Sequence, residues 1–110
     1  MEDLTQAEEY YQLSLALEPT DEECLTNYIE LLTENSMLEA YAYLLEFNEK
    51  IGGNKIGAVL EVNLLWQLGR KEEAISKFTD CVEKDINKAK EIFEINPSLT
   101  SVQEFVHLTQ

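Results

Sequence analysis

Apolar side chains recur every three or four residues along almost the whole chain, and this spacing is typical of amphipathic helices. The 110 residues include only four Gly and two Pro, so few positions interrupt a helix. No stretch alternates apolar and polar residues as a half-buried strand does. The stripes predict about seven helices joined by short links. Because short links make consecutive helices antiparallel, we expect an all-α fold built from helical hairpins.

Start and stop signals divide the apolar stripes into separate helices. The first stripe consists of Leu4, Ala7, Tyr11, Leu15 and Ala16. Capping boxes, in which a side chain accepts a hydrogen bond from a free N–H at the helix start, are predicted at Thr20–Glu23, Ser36–Glu39 and Thr100–Gln103. Helices are expected to end at Pro19, Gly52-Gly53-Asn54, Gly69 and Asn96-Pro97.

The negative charge is concentrated in the first half of the chain. Residues 1–49 contain thirteen Asp and Glu residues and no Lys or Arg, whereas residues 50–110 contain nine acids and eight bases. The two parts therefore carry −13 and −1, which add up to the net charge of −14. Such a field repels nucleic acid and anionic lipid and attracts a basic partner, so we expect no nucleic-acid binding. Ordinary solvated helix faces are the alternative explanation of the same acids.

The rest of the composition is that of a soluble globular domain, with 45% apolar and 27% charged residues. No apolar run reaches the roughly 18 residues of a membrane span, and Met1–Leu4 lacks the basic start of a signal peptide. We therefore expect a cytoplasmic protein without membrane insertion. Cys24 and Cys81 lie on apolar stripes, where we expect both thiols to be buried and reduced.

One short pattern repeats along the chain. An alanine is followed four residues later by a large apolar residue at Ala7/Tyr11, Ala40/Leu44 and Ala74/Phe78, so the alanines recur at nearly equal intervals. A small residue lets two helices approach closely, and the bulky residue one turn later fills the space beside the contact. This pattern resembles the tetratricopeptide repeat (TPR), a helical hairpin of roughly 34 residues.

The resemblance covers residues 4–88 and is carried by three segments. Ala7–Pro19 resembles the second helix of a repeat, including its terminal proline. Leu25–Ile29 resembles the first helix of the next repeat. Leu68–Ile75 is the strongest match. The sequence departs from the family at Gly52 and Ile86, where proline is usual, and at Glu61, where an apolar residue is usual.

The resemblance implies one domain in which the hairpins stack into a right-handed TPR-like superhelix, an α-solenoid. It divides the chain into a half repeat (1–20), two repeats (21–54 and 55–88) and a divergent capping hairpin (89–110). The chain thus opens on a second helix. Either it is a fragment of a longer array, which we favour, or that helix packs against something else, such as a second copy of the chain.

TPR proteins bind partner segments in a concave groove lined by the first helix of each repeat. The corresponding positions here are Glu23, Thr26, Glu30, Thr33 and Glu34, followed by Ile56, Val59, Asn63, Trp66 and Gln67. One wall is then acidic and the other partly apolar, which suits a basic or amphipathic segment. The Lys, Arg and Asn of the carboxylate-clamp members are missing, so an acidic chaperone tail is not expected to bind.

Trp66, the single tryptophan, has two interpretations. At a groove position it is a candidate hot spot for a partner. With the helix rotated by one residue, it packs between helices as core instead. The sequence leaves both open.

Residue patterns that support catalysis are missing, and we expect no enzyme, no cofactor and no metal. The single histidine, His107, lies close to the end of the chain and has no acid at a meaningful spacing. The cysteines form no CxxC pair, Asp21-Glu22-Glu23 lacks the glycine of a calcium loop, and Gly52-Gly53 lacks the lysine of a P-loop.

The expected function is therefore that of a protein-interaction scaffold. One alternative is a structural role, as a capping fragment of a longer repeat protein or as a unit that self-associates through the N-terminal helix. A more remote alternative is an accessory domain of an enzyme.

Overall fold

The structure is a computed structural model that describes residues 4–110, with the side chain of Leu4 outside the described part. This part is helical and contains no strand. Its α-helices are α1 (Leu4–Leu17), α2 (Glu22–Asn35), α3 (Met37–Lys50), α4 (Gly57–Gln67), α5 (Lys71–Lys84), α6 (Ile86–Ala89), α7 (Ile92–Ile95) and α8 (Gln103–Leu108). A 3-10 helix, Pro97–Ser101, precedes α8. The predicted all-α class is confirmed.

Each of the seven predicted helices has a counterpart, although a turn at Lys90-Glu91 splits the sixth into α6 and α7. Residues 1–3 of the predicted half repeat, and the Leu4 side chain of its apolar stripe, lie outside the described part. None of the helices in residues 4–110 is long and apolar enough to cross a membrane.

The helix caps agree with the prediction at one of the three capping boxes. The hydroxyl of Ser36 accepts a hydrogen bond from the N–H of Glu39 at 3.3 Å, as predicted. Asp21, not Thr20, caps α2, because its Oδ1 accepts from the N–H of Cys24 at 3.0 Å. The last helix is present, but its predicted cap at Thr100 is wrong, since α8 begins after Val102, whose side chain cannot cap.

The chain divides into two compact units between Gly57 and Ala58. In the first unit α2 packs against both α1 and α3. A row of aromatic rings with neighbouring centroids 4.9 to 6.0 Å apart links the three helices. It consists of Tyr10, Tyr11, Tyr28, Tyr43 and Phe47.

Asn54 ties two loops of the first unit together. Its Nδ2 donates to the carbonyl oxygens of Pro19 at 2.8 Å and Asp21 at 3.2 Å, and its Oδ1 accepts from the N–H of Ile56 at 3.2 Å. The amide thereby joins the α1–α2 loop to the segment before α4. The predicted stop at residues 52–54 is confirmed, because Gly52 and Gly53 have φ of +65° and +73°, which glycine adopts without strain.

In the second unit α5 packs against α6 and α8, and the 3-10 helix packs against α7 and α8. The core side chains include Phe78, Ala89, Ile92, Leu99 and Phe105, all fully buried. Of the repeated alanines, Ala40 and Ala74 are fully buried, whereas Ala7 is half-buried.

Candidate functional site

The predicted groove residues of α2 form an acidic, exposed face. Glu23, Glu30 and Glu34 are exposed. Because they are seven and four residues apart, they lie on one side of the helix. Thr26 and Thr33 lie between them and are half-buried, and their hydroxyls donate to the helix carbonyls of Glu22 and Ile29 at 2.8 and 2.7 Å. We call Glu23, Glu30 and Glu34 the acidic face of α2.

An open cleft of about 280 Å³ lies beside this face, between α1 and α2. Its lining residues are Tyr10, Tyr11, Ser14, Asp21, Glu23, Cys24 and Asn27. Glu23 therefore belongs both to the α1–α2 cleft and to the acidic face. Asp21 is committed to capping α2. The sequence analysis did not identify Tyr10, Ser14 or Asn27, since a cleft between two helices depends on how their side chains pack.

The phenols of Tyr28 and Tyr43, which follow Tyr11 in the aromatic row, remain neutral at physiological pH. Burial raises the pKa of Tyr28, a donated hydrogen bond from Gln12 Nε2 at 2.9 Å opposes the rise, and Glu8 adds to it. Burial raises the pKa of Tyr43 to about 12, with further contributions from Tyr28, Cys24 and Glu46. These rings act in packing and hydrogen bonding rather than as anionic nucleophiles.

Both thiols are free, as predicted, but only Cys24 is buried; Cys81 is half-buried, which corrects the expectation. Burial raises the pKa of Cys24, and Asp21 raises it further. Burial also raises the pKa of Cys81, although Lys77 partly opposes it. Since the thiolate is the reactive form, neither environment activates a nucleophile. His107 is exposed on α8.

The second predicted wall of the groove is largely buried. Ile56 and Val59 are 4% and 1% exposed, and Asn63 is 8% exposed. Trp66 is half-buried, and only Gln67 is exposed. The side chains of Ile56 and Val59 thus offer no surface to a partner. Of the predicted apolar wall, only the half-buried Trp66 and the exposed Gln67 keep accessible surface.

Residues 96–108, which we call the C-terminal segment, contact this part of α4 at Asn63 and Trp66. Asn96 Nδ2 donates to Asn63 Oδ1 at 2.9 Å, and the same oxygen accepts from Gln67 Nε2 at 3.1 Å. The ring of Phe105 meets that of Trp66 edge-on, with centroids 5.1 Å apart. Lys71 Nζ lies 5.0 Å from the Trp66 ring centroid, a cation–π contact. These contacts pack part of the Trp66 ring against Phe105 and Lys71, and the residue stays half-buried.

The ten predicted partner-binding residues thus differ in accessibility. The five on α2 lie together on an accessible side beside the cleft, whereas most of those at the α4 positions are buried or covered by the C-terminal segment.

Comparison of the chain with protein-family models, curated proteins and solved structures finds no match. The resemblance to the TPR family therefore rests on the sequence pattern alone.

Proposed function

We propose that this chain is a protein-interaction module that binds a basic segment of another polypeptide along the acidic face of α2 and in the α1–α2 cleft. The observation that carries the proposal is the exposure of Glu23, Glu30 and Glu34 in a region without any Lys or Arg. Lys or Arg side chains of a partner can pair with these carboxylates, because residues 1–49 contain no base that would neutralise them.

The cleft adds contacts that charge alone does not provide. Its exposed Tyr10 ring and Asn27 amide lie beside Glu23 in the lining. An aromatic ring can pack on the aliphatic stem of Lys or on the guanidinium plane of Arg. The combination favours a Lys- or Arg-containing segment over a free cation.

We also propose that the helical hairpins stack as in TPR proteins and that the protein is cytoplasmic. The TPR-like stacking of hairpins is supported by the recurrence of alanine at positions 7, 40 and 74 and by the complete burial of Ala40 and Ala74. A cytoplasmic location remains a prediction from the sequence.

The proposal can be tested with a fluorescein-labelled peptide of Lys and Leu. The triple variant Glu23→Lys, Glu30→Lys, Glu34→Lys reverses the acidic face, and we expect about a tenfold or greater loss of affinity by fluorescence anisotropy. The matched control, Glu83→Lys, Glu94→Lys, Glu104→Lys, changes the net charge equally at exposed acids of the second unit. Equal losses in both variants would show that net charge, rather than this face, attracts the peptide.

A further inference from the structure

We infer that the outward side of α1 binds an amphipathic helix of another protein, with an apolar stripe bordered by Lys or Arg. The stripe on α1 consists of Tyr10, Leu13 and Leu17, which are 67%, 64% and 80% exposed. We call these three residues the apolar face of α1. The inference goes beyond the proposed function, because it concerns apolar contacts along α1 rather than ionic contacts with the acids of α2, although Tyr10 borders both surfaces.

The spacing of the three residues makes a continuous strip. Positions three and four apart on a helix are neighbours on its surface, so Tyr10, Leu13 and Leu17 follow one another along one side of α1. Single exposed apolar residues are normal on any protein. Three in register over two turns match the anchor pattern by which one amphipathic helix packs on another.

The repeat register shows that the fold does not require leucine at these positions. When the sequence is aligned on itself so that Ala7 matches Ala40, Leu13 and Leu17 fall at Glu46 and Lys50 of α3. That pair is exposed and forms an ion pair at 2.9 Å.

α5 shows the same difference. The alignment that matches Ala7 with Ala74 places the two leucines at Asp80 and Lys84, both exposed. Helices in two other repeats thus carry charges in water where α1 carries leucines.

The surrounding charge indicates which occupant fits. Glu9 and Glu18 are exposed beside the strip, and residues 1–49 contain no base. In a two-fold dimer the same surface would face itself, so acids would approach acids without a compensating cation. A partner helix with Lys or Arg along the edges of its apolar stripe would pair with these carboxylates. The charges therefore favour a different, basic protein over a second copy.

The test uses two labelled peptides of identical Lys and Leu composition. In one peptide the leucines form a single helical face, and in the other they are scrambled. An apolar strip discriminates between the two, whereas an acidic surface binds both through their equal charge. We expect the full chain to bind the amphipathic peptide about tenfold or more tightly than the scrambled one.

The decisive variant transfers the α3 residues to α1. Leu13→Glu with Leu17→Lys leaves the net charge unchanged and installs a helix-compatible ion pair, so we expect α1 to remain folded. The affinity of this variant for the amphipathic peptide should fall to its affinity for the scrambled peptide. The matched control is Leu38→Glu with Leu45→Lys, which makes the same exchange at two exposed leucines of α3. This control variant should still bind the amphipathic peptide more tightly than the scrambled one. Circular dichroism should show that both variants keep the helix content of the parent chain.

Several outcomes would overturn the inference. Equal binding of both peptides by the parent chain, or an unchanged preference after the α1 exchange, would show that the strip takes no helix. A dimer of the parent chain in sedimentation equilibrium that the α1 exchange dissociates would assign the strip to a second copy. Failure of the proposed function is distinguishable, because reversing the acidic face then leaves affinity unchanged while the α1 exchange still abolishes the preference.

Discussion

The repeat register predicted from the sequence aligns α2 with α4, but the two helices have different surroundings. The register equates Glu23, Thr26 and Glu30 of α2 with Ile56, Val59 and Asn63, the last two in α4. The α2 side is accessible, whereas the α4 side is buried and partly covered by the C-terminal segment through Asn96 and Phe105. A repeat register thus predicts which helices are equivalent, but the segment that packs on each helix decides which side can meet a partner.

The two helices also use their carboxylates differently. The acids of α2 at positions 23, 30 and 34 are exposed and solvated. Glu61 of α4 is 3% exposed, and its Oε2 lies 2.7 Å from Nζ of Lys77 on α5. A buried carboxylate requires a cation or strong donors nearby. The departure from the family pattern at this position is therefore accommodated by a lysine on the neighbouring helix.

The largest loss of stability is expected from a substitution where the C-terminal segment contacts α4. Phe105 is fully buried between Trp66 and Phe78, with ring centroids 5.1 and 4.8 Å away. Phe105→Ala should lower the free energy of unfolding by about 3 to 5 kcal/mol, because it leaves a cavity between two rings. The remaining folded protein should show red-shifted Trp66 emission. Urea unfolding followed by circular dichroism and fluorescence measures both quantities.

His107→Ala is the control on the same helix, since His107 is exposed. It should change the free energy of unfolding by less than about 0.5 kcal/mol and leave the wavelength of the Trp66 emission maximum unchanged. If Phe105→Ala behaves like this control, α4 is not covered by α8, and the contrast with α2 disappears.

The next effect concerns the buried carboxylate. Lys77→Met removes the ammonium group from Glu61, and we expect a loss of about 1 to 3 kcal/mol. The figure is below that for a fully buried pair because the Lys77 side chain is 39% exposed. Glu30→Met on α2 should cost less than about 0.5 kcal/mol in the same urea titration.

The double variant Glu61→Met, Lys77→Met separates the loss of the pair from the loss of either side chain. It should recover most of the stability lost in Lys77→Met, because no buried charge remains. A double variant as unstable as the single one would mean that packing of the lysine stem, rather than its charge, supports α4.

These contrasts show what local sequence can predict. The helices follow from apolar spacing and stop signals, which act over a few residues. The cap at Asp21 instead of Thr20 reflects two neighbouring residues that can both accept the N–H bond. The acidic side of α2 was also predictable, because polar positions on an amphipathic helix face water.

The burial of α4 depends on contacts between residues that are distant in sequence. Asn63 meets Asn96 and Trp66 meets Phe105, pairs that no local periodicity encodes. Asn96 was predicted only as a helix stop, a role that it combines with the contact to Asn63. The exposure of the leucines at positions 13 and 17 was not predicted, because periodicity does not show which apolar side chains of a helix stay uncovered.

α2 and α4 also end differently, and this predicts a smaller effect. Gly69 follows α4 with φ of +86°, and Arg70 N–H donates to the carbonyl of Leu65 at 2.9 Å, as in a Schellman motif. Gly69→Ala should cost about 1 to 2 kcal/mol in thermal or urea unfolding, because a side chain disfavours this conformation. Ser36, at the end of α2, is extended, so Ser36→Gly should cost only a few tenths of a kcal/mol. Equal costs would contradict the difference in backbone conformation.

The smallest expected effect is a difference in alkaline sensitivity between the units, because all five tyrosines precede residue 58. The pKa of Tyr43 is about 12 in the folded chain, against an ordinary value of 10, since burial disfavours the phenolate. Between these values the unfolded chain loses the proton more readily, so stability that is intact below pH 10 declines as the pH rises through 12. Because Tyr43 is only partly buried, we expect a loss of about 1 kcal/mol, below the full linkage value.

The measurement is the difference in unfolding free energy between the parent chain and Tyr43→Phe over this pH range. A constant difference would mean that water reaches the phenol well enough to ionise it normally, and the aromatic row that links α1, α2 and α3 would then be less closed than the covered side of α4.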